Sequence, residues 1–483
     1  MLLPLLALLL VSDPAPTGAE GRRVARRGEG LPDAKPSAVG MAAHRLEAID
    51  RVVQRGIKSG GYPGAAVVVG RRGYSVFARG YGRLSWDDAS AEVSPAHTIY
   101  DLASVSKVVG TTAAAMALFD EGRLKLDAPV MEYLPAFADG GAKNRVTVRM
   151  LLTHRSGLPA GRDLWRIALS PGEARQALLN TPIRCEPGDC FVYSDLGMDV
   201  LGLVLEEAAG ESLDSYLARR VFGPLGMTDT WYRPPAELRY RIAPTELTPP
   251  RGYPLRGEVH DENAYILGGV AGHAGLFSTA ADLSVFAQAM LNGGTFGGAR
   301  VFADSTVKLF TARSAGERGL GWDTCAGKHG CGDFLGPTAY GHIGYTGTSV
   351  WIDPEREMFV ILLTNRVHAA RARRPAKVIA DIRDDLADAA AWAVVDEPEI
   401  AVQQVAFRAD SRAGWNRPVR VKKAKSRRPS RGKASSASTR SKSASTARKS
   451  TAKKTKSSAK PTKKKATTAK AKSATKKRPK SKS

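Results

Sequence analysis

Residues 101–110 read DLASVSKVVG, and two serines, Ser104 and Ser106, stand just ahead of Lys107. In a helix, residues three apart share a face, so Ser104 lies beside Lys107 while Ser106 turns away. A serine hydroxyl attacks poorly until a base takes its proton, and a lysine can be that base only where desolvation or nearby cations lower its pKa. That demands a buried helix start. Val105, Val108, Val109, Ala113, Ala114, Ala115, Met116, Leu118 and Phe119 supply one, being apolar nearly all round the segment. The spacing is not decisive alone, because Ser457/Lys460 and Ser473/Lys476 repeat it in a lysine-rich tail with no core.

Outward from this helix, expected over 104–120, apolar patterning predicts a helix over 42–54 and then a hairpin, with AAVVVG and YSVFARGYG on either side of an RRG turn. Far downstream, SVWID and MFVILLTN flank a turn at Pro354-Glu355-Arg356, and a helix is expected over 376–393. Between the hairpins, helices are expected near 147–153 and over 172–179, 196–209, 213–222, 281–292 and 304–312. Strands at both ends with helices between predict one α+β unit: an antiparallel sheet built from both ends of the domain, with a helical insertion.

Charge divides the 483-residue chain sharply. Residues 421–483 hold 25 of the 72 Lys and Arg with no Asp or Glu, so the other 47 basic residues balance 47 acidic ones and the whole +25 lies in the tail. That tail has no Phe, Trp, Tyr, Leu or Ile and is expected to be disordered, since it cannot bury enough surface to offset chain entropy. At the other end, Leu2–Val11 is an apolar run too short to span a bilayer, and Thr17-Gly18-Ala19 offers small residues for cleavage after Ala19. A signal peptide over 1–19 is expected, and with it an exported protein, periplasmic or extracellular. Four cysteines in two close pairs, Cys185/Cys190 and Cys325/Cys331, suit an oxidising compartment. Local pairing is the simplest of three connectivities. Zinc is the competing reading, but neither pair has the two-residue spacing of a zinc ribbon.

There is no Gly-x-Ser-x-Gly and no HExxH, which argues against a nucleophile elbow and against a zincin. What remains is a series of separated polar clusters. TIYDLASVSKVVGTT, LLTHRSGL, PGDCFVYSDLG, GGVAGHAGLFSTAADL and YGHIGYTGTSVWIDP stand in the order found in the serine β-lactamase and penicillin-binding-protein superfamily. The chain resembles its class C-related branch, whose signatures are Ser-x-x-Lys, Tyr-x-Asn, and Lys-Thr-Gly or a His-x-Gly equivalent. VHDENA and GHIGYTGTS look most like muramyl-peptide amidases and D-alanyl carboxypeptidase-like proteins.

The resemblance implies that Ser104 is acylated, that Lys107 deprotonates it or shares its proton, and that Tyr193 is the second proton-transfer group. It implies an oxyanion hole from the backbone N–H groups of Ser104 and Tyr345, with Gly344 beside it. His342 would supply a donor and partial positive charge toward Tyr193 and a substrate carboxylate. His260, Asp261 and Asn263 are candidates for substrate contact. Asp195 stands where the family has Asn, so it cannot donate to a substrate amide, and it opposes the use of Lys107 and Tyr193 as bases; a helix N-cap is its other reading. Ile343 replaces a hydroxyl residue. His154 is read as structural.

The expected organisation is therefore a linker over 20–41, a serine hydrolase domain over 42–396, a second linker over 397–420 and the basic tail over 421–483. The expected function is acyl-enzyme hydrolysis of a cell-wall-derived amide, a muropeptide, or an ester, with no metal or organic cofactor. The alternatives are a carboxylesterase of the same fold and a silent fold that binds polyanions. The tail suits anionic envelope polymer, with nucleic acid as the other candidate.

Overall fold

The computed structural model describes residues 30–246, 251–314, 316–327, 330–368, 376–413 and 415. The expected signal peptide and the tail lie outside these residues. The chain divides into two compact units, Met1–Val421 and Lys422–Ser483, and only the first contains described residues.

Eleven short and long strands are described: β1 Gly64–Arg71, β2 Tyr74–Gly82, β3 Tyr100–Asp101, β4 Trp231–Tyr232, β5 Leu276–Ser278, β6 Thr295–Phe296, β7 Ala299–Arg300, β8 Asp323–Thr324, β9 Tyr340–Ile343, β10 Ser349–Asp353 and β11 Met358–Thr364. The main sheet has the order β2-β1-β11-β10-β9-β8, and every pair in it is antiparallel. As expected, the two ends of the domain meet: β1 lies on β11 from Ala65 opposite Thr364 to Arg71 opposite Met358. Arg72 and Gly73 both have positive φ, 52° and 89°, which matches the right-handed twist of the two strands they join. The small sheet β3-β5-β4 and the strands β8 and β9 were not read from sequence; four or fewer residues carry too little periodicity to announce a strand.

Both faces of the main sheet are covered, which is why its central strands β1, β10 and β11 are buried at every position. Ala66, Val68, Val350, Ile352, Ile361 and Leu363 face one core, shared with Leu102, Val105 and the helix Ala113–Asp120. Ala65, Val67, Trp351, Val360 and Leu362 face a second core, shared with the helices Ala48–Lys58 and Ala376–Ala393. The helix expected over 42–54 is split, Ala43–Leu46 and then Ala48–Lys58. The other helices fall within a few residues of expectation, among them Pro171–Leu179, Asp195–Ala209, Ala280–Leu291 and Asp304–Thr311.

Neither flanking segment behaves as a linker where it is described. Leu31, Val39 and Met41 are buried, and Ala34 N–H donates to Ser75 O at 3.0 Å. On the other side, Val402, Phe407 and Ala409 are buried. Arg71, fully buried at the end of β1, ties the two together: its guanidinium donates to Val39 O at 2.7 Å and pairs with Asp396 and Glu397, each at 2.6 Å. Composition hid this, because Pro, Gly and charged residues fill both segments while a few spaced apolar side chains do the anchoring. Asp396 and Glu397 are part-exposed and keep Arg72 as a partner, so losing Arg71 costs the hydrogen bonds of its buried guanidinium, about 1–3 kcal/mol. Arg71→Ala should lower the unfolding free energy in urea by that amount; a change under about 1 kcal/mol would show that these ends are not part of the folded unit.

Candidate active site

Ser104 lies in a single 3₁₀ turn, Ala103–Val105, which leads through Ser106 into a π-helical turn, Lys107–Thr112, and then the α-helix Ala113–Asp120. One regular helix was expected. Wide turns of this kind concentrate at functional sites. Ala103 has φ 46°, a left-handed conformation that costs a residue with a Cβ about 1–2 kcal/mol. Asp101 holds it there, accepting Ala103 N–H at 2.8 Å on one oxygen and His260 N–H at 2.7 Å on the other. Ser104 is half-buried and Ser106 fully buried. The Ser106 hydroxyl oxygen accepts Leu276 N–H at 3.1 Å, so only Ser104 is presented outward.

Lys107 is fully buried; its ammonium donates to Ser104 Oγ at 2.9 Å and His273 O at 3.0 Å and is ion-paired with Asp195 Oδ1 at 2.8 Å. Burial pulls its pKa down, but Asp195 and Tyr193 outweigh burial and the net shift is upward. The lowered pKa that the sequence reading required is therefore absent: in this arrangement Lys107 is a cation donating to Ser104. Asp195 is the first residue of its helix and not the cap; Ser194 is the cap, its Oγ accepting Gly197 N–H at 2.9 Å.

Tyr193 is held from both sides of its own backbone by His154. Val192 N–H donates to His154 O at 2.9 Å, and Ser194 N–H donates to His154 Nδ1 at 3.1 Å. His154, itself at φ 56°, lies 4.6 Å from the Tyr193 ring, centroid to centroid. Two cations flank that ring, Lys107 at 5.0 Å and Arg318 at 5.7 Å. Arg318 is buried and paired with Asp323; burial brings its pKa down to about 10, so it stays charged at neutral pH.

His342, expected to supply a donor and partial positive charge, is enclosed. It is 2 % exposed, its Nδ1–H donates to Ile343 O at 2.8 Å, and burial together with Arg318 and Lys107 holds its pKa well below the usual imidazole range. An imidazole held neutral brings no positive charge to Tyr193. Arg318 carries the charge in its place. No pattern announced it in the sequence, since a lone arginine in a glycine-rich loop has no partner spacing to read.

The turn after β9 is stitched to the segment before Ser104. Thr348 Oγ1 donates to Leu102 O and Thr346 Oγ1 to Asp101 O, each at 2.8 Å. Gly344 packs so closely that a Cβ there would lie 2.4 Å from Leu102 O. Among the described residues, neither the Ser104 nor the Tyr345 backbone N–H has an acceptor. The Tyr345 side chain is exposed, while Arg366 donates to its carbonyl at 2.9 Å.

His260, Asp261 and Asn263 each make contacts that hold their loop. His260 is buried with Nε2 2.7 Å from Glu246 Oε1. Asp261 caps the helix Glu262–Ile266 and lies 2.9 Å from His273 Nε2. Asn263 Nδ2 donates to Arg162 O at 2.9 Å. His273, whose role the sequence left unassigned, is buried between Asp199 and Asp261; despite the opposing pull of burial, these carboxylates raise its pKa well above the usual imidazole range. They thereby fix the loop whose carbonyl holds Lys107. The cysteines pair locally, Cys185 with Cys190 and Cys325 with Cys331, with Cα separations of 6.5 and 5.9 Å.

Known proteins resemble this chain in sequence and in fold. The Beta-lactamase family model matches residues 49–384. A protein of Escherichia coli strain K12 named "Putative D-alanyl-D-alanine carboxypeptidase" is 33 % identical over 375 residues, covering 70 % of this chain and 86 % of that protein. A protein of the same name from Salmonella typhimurium is 32 % identical over the same length, with 70 % and 87 % covered. Among solved structures, EstCE1, described as a hydrolase with promiscuous acyltransferase activity, has a TM-score of 0.58 at 22 % identity, covering 71 % of this chain and 99 % of that one. The octameric penicillin-binding protein homologue from Pyrococcus abyssi has 0.56 at 22 %, with 70 % and 76 % covered. A class C β-lactamase has 0.57 at 19 %, with 71 % and 95 % covered. The three structures share the fold. With the antiparallel sheet, the helical insertion and the family match over most of the folded unit, the chain belongs to the β-lactamase family, the serine hydrolases with the penicillin-binding-protein fold.

Proposed function

We propose that the chain hydrolyses a peptide or amide derived from D-alanyl-containing cell wall, through an acyl-enzyme on Ser104. The observation that carries this is the 2.9 Å hydrogen bond from the buried Lys107 ammonium to the outward-facing Ser104 hydroxyl. In this reading the phenolate oxygen of Tyr193 takes the Ser104 proton as Oγ bonds to the substrate carbonyl carbon. Lys107 and Arg318 offset the charge moving around that ring. The N–H groups of Ser104 and Tyr345 receive the carbonyl oxygen as it becomes an oxyanion. Tyr193 returns the proton to the leaving amine as the C–N bond breaks, and water later releases the acyl group by the same route. The named relatives support the D-alanyl substrate.

Asp195 supports a second reading, a carboxylesterase. Where the family has an amide donor, this chain has a carboxylate paired with Lys107, which offers a substrate amide nothing to accept and loses little with an ester. The polyanion-binding alternative finds no support at the site, where nucleophile, cation and amide donors stand together. Export to the periplasm or outside the cell, and anchoring of the tail on anionic envelope polymer, belong to the same proposal; the composition of both ends supports them.

Labelling with a fluorophosphonate followed by peptide mapping should place the adduct on Ser104, vanish in Ser104→Ala and persist in Ser106→Ala. An adduct that survives Ser104→Ala would end the assignment. Comparing a D-alanyl-D-alanine peptide with a nitrophenyl ester separates the two substrate readings. Asp195→Asn should raise the amide-to-ester ratio about tenfold, the worth of one hydrogen bond; an unchanged ratio would mean that Asp195 faces only Lys107. Removal of residues 421–483 should leave turnover of the small ester within about twofold and abolish salt-sensitive retention on envelope fragments. Loss of ester turnover in a folded truncated protein would make the tail part of the catalytic unit.

A further inference from the structure

Arg383 is fully buried on the helix Ala376–Ala393. A buried guanidinium ordinarily meets a carboxylate, because an uncompensated charge in the interior is expensive. Among the described residues no carboxylate forms an ion pair with Arg383. Asp384, next to it in sequence, accepts Gly332 N–H at 3.3 Å and lies 3.9 Å from Arg408. Arg383 instead directs Nη2 at two carbonyls of a single turn, Gly344 O at 2.6 Å and Thr348 O at 2.9 Å.

The first of these carbonyls belongs to the same peptide unit as the Tyr345 N–H. A trans peptide is planar, with its C=O and N–H pointing in opposite directions, so whatever fixes one fixes the other. The Arg383 helix covers the sheet face that carries Trp351 and Val360, whereas Leu102 and Val105, on either side of Ser104, pack on the opposite face. With its carbonyl held toward that helix, the Gly344–Tyr345 peptide turns its N–H away from it, toward the side of Ser104. The 2.6 Å bond from a charged donor also withdraws electron density from the carbonyl, which strengthens the opposing N–H as a donor.

We infer that Arg383 is a positioning residue of the oxyanion hole, acting with Gly347 N–H, which donates to the same Gly344 carbonyl at 3.0 Å, and polarising the Gly344–Tyr345 peptide from behind the sheet without touching substrate. The inference rests on the proposal that Tyr345 N–H receives the oxyanion. It gives a reason for a buried arginine that forms no ion pair among the described residues, and it links the helix Ala376–Ala393 to the chemistry across the sheet. At neutral pH the guanidinium is charged even though burial lowers its pKa to about 9.

The test uses the full chain and a pair of esters that differ only in C=O against C=S, because sulfur accepts hydrogen bonds poorly and so reports the oxyanion donors selectively. Arg383→Met should lower kcat on the oxo ester about tenfold to a hundredfold, with KM within about twofold, and lower the oxo/thiono ratio of kcat/KM about tenfold. Arg383→Lys should recover part of both. A ratio left at the wild-type value, whatever the total activity, would overturn the inference and leave Arg383 a purely structural residue. Should Arg383→Met fail to fold, Arg383→Lys and Arg383→Gln are judged by the same ratio. Tyr345→Pro, which deletes the N–H, separates the two claims. If the wild-type ratio survives Tyr345→Pro, the oxyanion assignment itself fails; if it collapses there but persists in the Arg383 variants, only the role of Arg383 fails.

Discussion

The ammonium of Lys107 donates to Ser104 Oγ on its own turn and to the carbonyl of His273, and pairs with Asp195 at the start of a helix. Burying a lysine is unfavourable unless its charge is matched and its donors are used. Meeting that requirement pulls the nucleophile, the Tyr193 loop and the GHAG loop to one point. His273 cannot drift, because Asp199 and Asp261 grip its ring; Asp195 cannot drift, because Ser194 caps its helix and Asp195 N–H donates to Ala160 O at 2.9 Å.

The electrostatics of the site follow from the same constraint. Lys107 and Arg318 flank the Tyr193 ring, and Arg383 lies behind the oxyanion turn. Against these stand Asp195, at the mouth, and Asp323, which pairs with Arg318. Such a site keeps His154 and His342 neutral. The histidines thus act by shape and hydrogen bonding: His154 braces the backbone on both sides of Tyr193, and His342 closes the floor beside it.

Long apolar runs made the sheet legible in the sequence. AAVVVG and MFVILLTN, each beside a turn, read as hairpin strands, and their pairing closes the domain. Ser104 beside Lys107 was legible from spacing, and the fate of Ser106 followed from it. The charge states were not legible. Whether Lys107 is a base or a donor depends on Asp195, 88 positions away, and on the His273 carbonyl, 166 positions away, neither of which spacing can place. Arg318 and Arg383 were silent for a related reason: each works through backbone or ring contacts that leave no motif. The flanking segments were misjudged because composition averages over residues, whereas anchoring rests on a few, such as Leu31, Val39 and Phe407.

The claim on which the rest depends is that resting Lys107 is a charged donor and not the base. NMR of the chain with ¹⁵N at the lysine side-chain nitrogens, the Lys107 signal assigned by its loss in Lys107→Arg, measures this directly. The account predicts an ammonium signal with no titration between about pH 6 and pH 9, since Asp195 and Tyr193 raise the pKa above the ordinary lysine value of about 10.4. A titration with its midpoint near pH 7 would contradict it, and would return the role of base to Lys107.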